Sequence, residues 1–246
     1  MPVTLGIHPV REALKARRLL DKVLVAKGSS GRRIQEIVEL CNQNGVPVRF
    51  EPRESLDRLS KGVSHQGVVG FGAAHEYATL ETVVKSATLL VLLDGIEDPH
   101  NLGAIIRTAH AAGADAIVVP ERRSASLTDT VSRTAAGALA HLPVVRVINI
   151  SRTIQELKEL GFWVYGLDER GKEGYDQVAY ASPGALVFGA EGSGLHHNVK
   201  QHCDVLVSIP MAGKVTSLNV SVAAGIVLFE WRRRQSQMLG LKPMPR

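Results

Sequence analysis

The stretch S-I-P-M-A-G-K-V-T-S-L-N-V-S-V-A-A-G-I-V-L-F-E-W, Ser208 to Trp231, is the one around which the rest of the chain is organised. Its second half has a helical period: Val220, Ala223, Ala224, Val227, Leu228 and Trp231 recur at i, i+3, i+4, i+7, i+8 and i+11, one apolar stripe of a 3.6-residue repeat. Thr216 or Ser217 has the hydroxyl to cap its start. The first half leaves a short apolar strand, Val205 to Ile209, so Ser217, Leu218 and Asn219 fall at a strand-to-helix junction. Backbone N–H groups are unpaired at such a junction and can hold a ligand.

Upstream, strands and helices alternate. Leu89 to Leu93 is wholly apolar and reads as a buried strand. A helix over Asn101 to Ala112 stops at Gly113, a strand follows at Ala116 to Val119, and a helix is predicted over Thr128 to Leu139. Val144 to Val147 is a strand, Ile150 to Leu160 a helix closed by Gly161, and Phe162 to Leu167 and Ala185 to Phe188 are further strands. With Val205–Ile209 that makes six short strands among helices, the pattern of an α/β domain with a parallel sheet covered on both faces. Ligands of such sheets bind at the carboxyl ends of the strands. Residues 1–74 form a smaller α/β unit: helix His8–Arg18, strand Lys22–Lys27, helix Arg32–Asn44 closed by Gly45, strand Val46–Glu51, helix Glu54–Leu59 and strand Val68–Ala73. A three-layer packing is expected for it, with a polar linker over 75–80 and the larger domain over 81–246.

With 45% apolar and 22% charged residues in 246, the composition is that of an ordinary globular protein. Cys41 and Cys203 have no metal or redox spacing and are expected as inert thiols in a reducing, cytoplasmic setting. No signal pattern opens the chain and no run reaches membrane-spanning length. The net charge of +5 is unevenly spread: +5 over residues 1–74, −5 over 75–230 and +5 over 231–246. Basic ends flanking an acidic middle point to an anionic partner, nucleic acid first. Arg11, Lys15 and Arg18 share one helix face and are candidate phosphate contacts. No aromatic residues interleave with them, which argues against base stacking on a sheet.

Three loops stand at the predicted strand ends. The first is D-G-I-E-D-P-H-N-L-G-A-I-I-R, Asp94 to Arg107, with Asn101 in the position of a helix N-cap. The second is L-V-F-G-A-E-G-S-G-L, Leu186 to Leu195, where Gly189, Gly192 and Gly194 permit close approach and left-handed angles. The third is the opening stretch. None is a dinucleotide fingerprint or a P-loop, and no cluster has metal-ligand spacing, so no metal is expected.

Together these loops resemble the motifs of the SPOUT superfamily, and within it the SpoU (TrmH-like) RNA ribose 2′-O-methyltransferases: N-L-G-A-I-I-R at 101–107, L-V-F-G-A-E-G-S-G-L at 186–195 and S-I-P-M-A-G-K-V-T-S-L-N-V-S-V-A at 208–223. G-I-H-P-V-R-E-A-L at 6–14 and H-Q-G-V-V at 65–69 are similar to the ribosomal-protein-L30-like substrate domain of the bacterial branch that methylates a guanosine of 23S ribosomal RNA. The resemblance leaves out only residues 238–246. It implies a Rossmann-like sheet whose C-terminal part threads into a trefoil knot, S-adenosylmethionine held in that knot, and a homodimer. It also implies site residues. Arg107 would serve the 2′-hydroxyl, as a fixed positive charge, since a guanidinium stays protonated. Asn101 would fix the loop and the ribose, and Glu191 would orient the first motif or the arginine. Ser217 and Asn219 would bond to cofactor or hydroxyl. Gly189, Ile209 and Leu218 would surround the cofactor, with Met211 as a pocket wall. His100 is a substrate-loop candidate. A transfer-RNA methyltransferase of the same superfamily and a non-catalytic RNA-binding or ribosome-assembly module are the alternatives; intact Arg107, Glu191 and Asn219 disfavour the second.

Overall fold

The computed structural model describes residues 3–15, 20–60, 62–72, 77–214 and 217–238. The chain divides near residue 76 into two compact units, the stretch 126–129 grouping with the first.

The first unit runs β1 (Val3–Leu5), α1 (Ile7–Lys15), β2 (Leu20–Ala26), α2 (Arg32–Gln43), β3 (Val48–Glu51), α3 (Arg53–Ser60) and β4 (Val68–Gly72). Its sheet has the order β1-β4-β2-β3, with β2 parallel to β3 and β4 antiparallel to both β1 and β2. One face is covered by Val10 and Leu14 of α1 and by Ile34, Ile37 and Cys41 of α2, packed on Val23, Val25 and Val68. Leu56 of α3 covers the other against Leu24, Ala26, Val69 and Phe71. Two periodic helices on one side and one on the other make the three layers that the alternation implies. The three-residue edge strand β1 is too short to show a period and was not expected. In the turn before β4, His65 is fixed between Asp57 Oδ1 at Nε2 (2.8 Å) and the Gly67 N–H at Nδ1 (3.1 Å).

The second unit runs α4 (Leu80–Val83), β5 (Leu89–Asp94), α5 (Pro99–Ala112), β6 (Ala116–Pro120), α6 (Asp129–Thr134), β7 (Val144–Val147), α7 (Ile150–Glu159), β8 (Trp163–Leu167), β9 (Glu173–Gly174), β10 (Gly184–Gly189), α8 (His197–His202), β11 (Val205–Ser208) and α9 (Val220–Met238). Its sheet order is β7-β6-β5-β10-β8-β11-β9, and every neighbouring pair is parallel. The six expected strands are present, and a two-residue seventh, β9, adds an edge. Leu90, Leu92, Val118, Val164 and Val187 pack in one core with Ile154 and Leu157 of α7 and Val199 of α8. Strand residues alternate in direction, so Leu89, Val91 and Leu93 face the opposite side.

Helix α9 packs on α5 and β10. Its buried residues are Val220, Ala223, Ala224, Val227, Leu228, Trp231 and Gln235, the apolar stripe of the sequence continued by one polar turn. Gln235 Nε2 donates to the Tyr180 carbonyl (2.8 Å), the Tyr180 hydroxyl donates to the Tyr175 carbonyl (2.8 Å), and Arg234 donates to the Asp176 carbonyl. The last turns of α9 thus clamp the irregular segment between β9 and β10.

Two expectations change. The helix expected over Thr128–Leu139 is broken: α6 ends at Thr134, Ala136 and Gly137 take φ of 48° and 88°, and a short 3-10 turn follows at Ala138–Ala140. Gly137 lets the chain reverse, where the apolar period alone suggested continuation. Within the expected linker, Ala78 bridges to Val145 beside β7, its N–H donating to the Val144 carbonyl (2.8 Å). No helix among the described residues is long and apolar enough to cross a membrane.

Candidate active site

The three loops meet at the carboxyl end of the sheet because β5 and β10 are neighbours and β8 and β11 follow. Loop one enters α5 through Asp98 and Pro99. Asp98 is the N-cap: its carboxylate accepts from the His100 N–H (3.1 Å) and the Asn101 N–H (3.3 Å), and Pro99 at the first helical position lacks an N–H to satisfy. Asn101 is therefore not the cap. It lies in the first turn, 8% exposed, with its amide free for longer-range bonds.

Those bonds join all three motifs. Asn219 Nδ2 donates to Asn101 Oδ1 (2.9 Å), and Asn101 Nδ2 donates to Glu191 Oε2 (3.2 Å). Asn219 Oδ1 in turn accepts from the Ser221 N–H (2.9 Å) and hydroxyl (2.6 Å). Asn219 is thus the cap of α9, in place of Ser217; Thr216, the other candidate, lies outside the described residues. Glu191 only accepts, so it fixes which end of Asn101 is NH2, and Asn101 then fixes Asn219.

Loop two closes on itself. The Ala190 N–H donates to the Gly194 carbonyl (3.1 Å) and the Gly194 N–H to the Ala190 carbonyl (2.9 Å). Gly192 and Gly194 have φ of 83° and 64°. Gly189 is required for a different reason: a Cβ there would collide with the Gly194 carbonyl and the Leu195 nitrogen, both rigid backbone.

A cavity of about 230 Å³ opens beside this loop. Gly189, Glu191, Ile209, Met211, Ser217 and Leu218 line it. Asn101 and Asn219 do not line it; they tie its rim. Arg107 does not line it either. Its side chain is exposed on α5 and, among the described residues, has no hydrogen-bond or ion-pair partner. Arg11 and Lys15 in the first unit both reach Glu36, at 3.7 and 3.0 Å, which offsets part of their charge; Arg18 lies outside the described residues.

Asp168 and Lys200 also line the cavity, and sequence reasoning missed both. Asp168 follows β8, so its place at a strand's carboxyl end was the available signal. Lys200 Nζ lies 2.5 Å from Asp168 Oδ2, and the Arg170 N–H donates to Oδ1 (3.0 Å). Burial alone would raise the Asp168 carboxyl, but the Lys200 and Arg170 bonds prevail and hold it below the usual carboxylate range. Among the described residues no group of His, Cys, Asp and Glu could hold a metal ion.

The pairing of an apolar wall (Ile209, Leu218, Val220, Ala223) with a glycine loop that exposes backbone donors and acceptors suits a nucleoside-containing ligand. Comparison with known proteins agrees. The profile of the SpoU rRNA methylase family matches residues 88–229, and that of the RNA 2′-O ribose methyltransferase substrate-binding domain matches residues 4–78. The chain is 44% identical over 238 residues to YacO of Bacillus subtilis, assigned to the TrmH family of tRNA/rRNA methyltransferases, covering 94% of this chain and 95% of that one. A Staphylococcus haemolyticus protein assigned to the same family is 40% identical over 242 residues, covering 96% and 97%. Among solved structures, the SpoU methyltransferase AviRb of Streptomyces viridochromogenes, in complex with AdoMet, is 25% identical with a TM-score of 0.61, covering 96% of this chain and 90% of that one. An AdoMet-bound rRNA methyltransferase of Sinorhizobium meliloti is 27% identical with a TM-score of 0.61, covering 94% and 86%. Two profiles covering most of the chain, and the three loops joined around one cavity, lead to the same place: the chain belongs to the SpoU/TrmH family of S-adenosylmethionine-dependent RNA ribose 2′-O-methyltransferases.

Proposed function

We propose that the protein methylates the ribose 2′-hydroxyl of a guanosine in 23S ribosomal RNA, in the cytoplasm. The observation that supports the catalytic reading best is the hydrogen-bonded chain Glu191–Asn101–Asn219, which ties the three motifs at the rim of the cavity. A module that had lost catalysis would have no need to keep it. An RNA substrate is supported by the match of residues 4–78 to a methyltransferase substrate-binding domain and by the basic charge of that segment, and the ribosomal choice by the likeness of residues 88–229 to the SpoU rRNA methylase profile.

Gly189, Ile209, Met211, Leu218 and Asn219 are our candidates for holding the cofactor, Asn219 through the end of the loop it caps. Bound there, S-adenosylmethionine would supply a sulfonium-bound methyl group for the 2′-oxygen, with S-adenosylhomocysteine as the leaving group and the hydroxyl proton passing to water. A hydroxyl is a weak nucleophile until that proton departs, so the site must favour negative charge on the 2′-oxygen. Arg107 is the cation assigned to this task, with Ser217 and Asn101 placing the ribose. Arg107 is exposed and stands off its own chain's cavity. A homodimer accounts for both facts. Val222 and Phe229, 52% and 51% exposed, form with Ile226 a second apolar stripe on α9. Arg107 adjoins Thr108, whose methyl is 3.6 Å from where a Cβ on Gly225 would stand, between those residues. A second copy docked on that stripe would cover it and present Arg107 to the partner's cavity. In the first unit, Arg11, Lys15 and Arg18 are the candidate phosphate contacts.

Mapping 2′-O-methyl sites in ribosomal and transfer RNA from wild-type and knockout cells tests the substrate. Loss of one 23S guanosine site is the expected result. Loss of a transfer-RNA site instead would replace this reading with the tRNA one that the relatives' names leave open.

A further inference from the structure

Asp94 ends β5 with its carboxylate only 9% exposed, and that carboxylate takes two bonds from one residue: the His196 N–H (2.8 Å) and His196 Nδ1 (2.9 Å). A carboxylate can only accept, so Nδ1 carries the proton. Nε2 faces Arg123 Nη1 at 3.4 Å, and because a guanidinium only donates, Nε2 is the acceptor of that contact. A buried carboxylate therefore holds an imidazole, and the imidazole holds an exposed guanidinium, across three separate loops. Arg123 has no carboxylate partner among the described residues, so at least four of its five N–H donors remain available.

The turn that carries Arg123 is pinned at both ends. The Glu121 N–H donates to the Val147 carbonyl (2.8 Å) and the Ala125 N–H to the Ile96 carbonyl (2.8 Å). Arg123 itself has φ of 58°, a left-handed conformation that disfavours any residue but glycine, Asn or Asp. Glycine would relieve the backbone, yet an arginine stands there. Such local strain accumulates where a side chain is aimed for function. The place is the ligand-binding edge of the sheet, beyond the carboxyl ends of β5 and β6. It also adjoins the cavity: a Cβ on Gly95 would sit 3.5 Å from His196 Cε1 and 3.3 Å from the Cβ of Ala190, a lining residue.

We infer that Arg123 is a phosphodiester contact for the RNA strand entering the methyl-transfer site, and that Asp94 and His196 are positioning residues that aim it. The inference rests on the methyltransferase reading above. A planar fork of donors fixed in direction suits two phosphate oxygens.

The test is equilibrium binding of in vitro transcribed 23S ribosomal RNA to the full chain, at KCl between about 50 and 200 mM, the range over which phosphate contacts register as a salt slope. Arg123→Gly should bind more weakly, with the slope of log affinity against log salt reduced by about one unit, while melting no lower than wild type because glycine suits the backbone. His196→Ala should weaken binding several-fold with the slope unchanged, since no RNA-facing charge is lost. His196→Gln, whose amide oxygen can accept from Arg123, should recover part of that loss. In the Arg123→Gly background His196→Ala should add nothing, because the residue acts only through the arginine. S-adenosylmethionine affinity should be the same in every variant. An unchanged salt slope in Arg123→Gly, or an equal His196→Ala effect in both backgrounds, overturns the inference. Failure of the wild-type chain to bind the cofactor would instead overturn the functional reading beneath it.

Discussion

Gly189→Ala should weaken cofactor binding severely through geometry alone. Gly189 is not one of the glycines with positive φ, so alanine is tolerated by its own backbone angles. The obstacle is the neighbouring strand of the loop: the new Cβ would fall well inside 3 Å of the Gly194 carbonyl and the Leu195 nitrogen. Ordinary carbon contacts are ~3.5–4 Å, so the two segments must part by roughly an ångström or more. That separation breaks the paired bonds between Ala190 and Gly194. Two such bonds contribute ~0.5–1.5 kcal/mol each, and overpacking costs ~1–3 kcal/mol. Roughly 2–6 kcal/mol is therefore at stake, which at ~2–4 °C per kcal/mol lowers the melting of the second unit by roughly 4–24 °C. Because the distortion lies in the cavity wall, a 2 kcal/mol loss in binding alone would weaken S-adenosylmethionine by roughly 30-fold. Gly192→Ala is the control. Nothing lies within 4 Å of its Cβ, but its φ of 83° remains left-handed. It should lose only ~1–2 kcal/mol of stability and keep affinity within a few-fold. Calorimetric titration of both variants, with circular dichroism melts, measures both quantities. Wild-type affinity and melting in Gly189→Ala would refute the close-approach argument.

Arg107→Ala should keep fold and cofactor affinity but lose ~10²–10³ in single-turnover methylation of RNA; a rate near wild type would remove Arg107 from catalysis. Arg107→Lys regains part of the rate if charge alone matters, and stays inactive if the planar fork is needed. Asp168, held below the usual carboxylate range, contributes stability that is present above the unfolded value near ~4 and is lost as pH falls through the folded one. Asp168→Asn should therefore be less stable at neutral pH and show a shallower decline between about pH 5 and 2 in urea melts; parallel curves would contradict the ion pair with Lys200. Burial pushes the thiols of Cys41 and Cys203 up to about 12. At pH 8 the thiolate fraction is then ~10⁻⁴, so Ellman's reagent should leave the native protein unlabelled and react with both cysteines only in denaturant.

The amino-acid sequence determined the repeating parts by itself. Six of the seven strands of the large sheet, the buried stripe from Val220 to Trp231, and the glycine loop at 189–194 are all local patterns. Each is set by side-chain period or by backbone sterics within a few residues. Local rules misplaced the ends of elements. Asp98 outcompetes Asn101 as a cap because a carboxylate followed by proline satisfies the first turn better, and Asn219 outcompetes Ser217 because α9 begins at Val220, which puts Asn219 directly before the first turn where its side chain reaches the Ser221 N–H. Only the tertiary structure decided what the freed amides do. Asn101 and Glu191 are 90 residues apart, Asn101 and Asn219 are 118, and Asp94 and His196 are 102. Their meeting depends on β10 inserting between β5 and β8, an order set by how the strands' apolar faces bury against α5, α7 and α9. No periodicity encodes that order, so the Asp168–Lys200 pair and the Asp94–His196–Arg123 chain are visible only once the sheet is assembled.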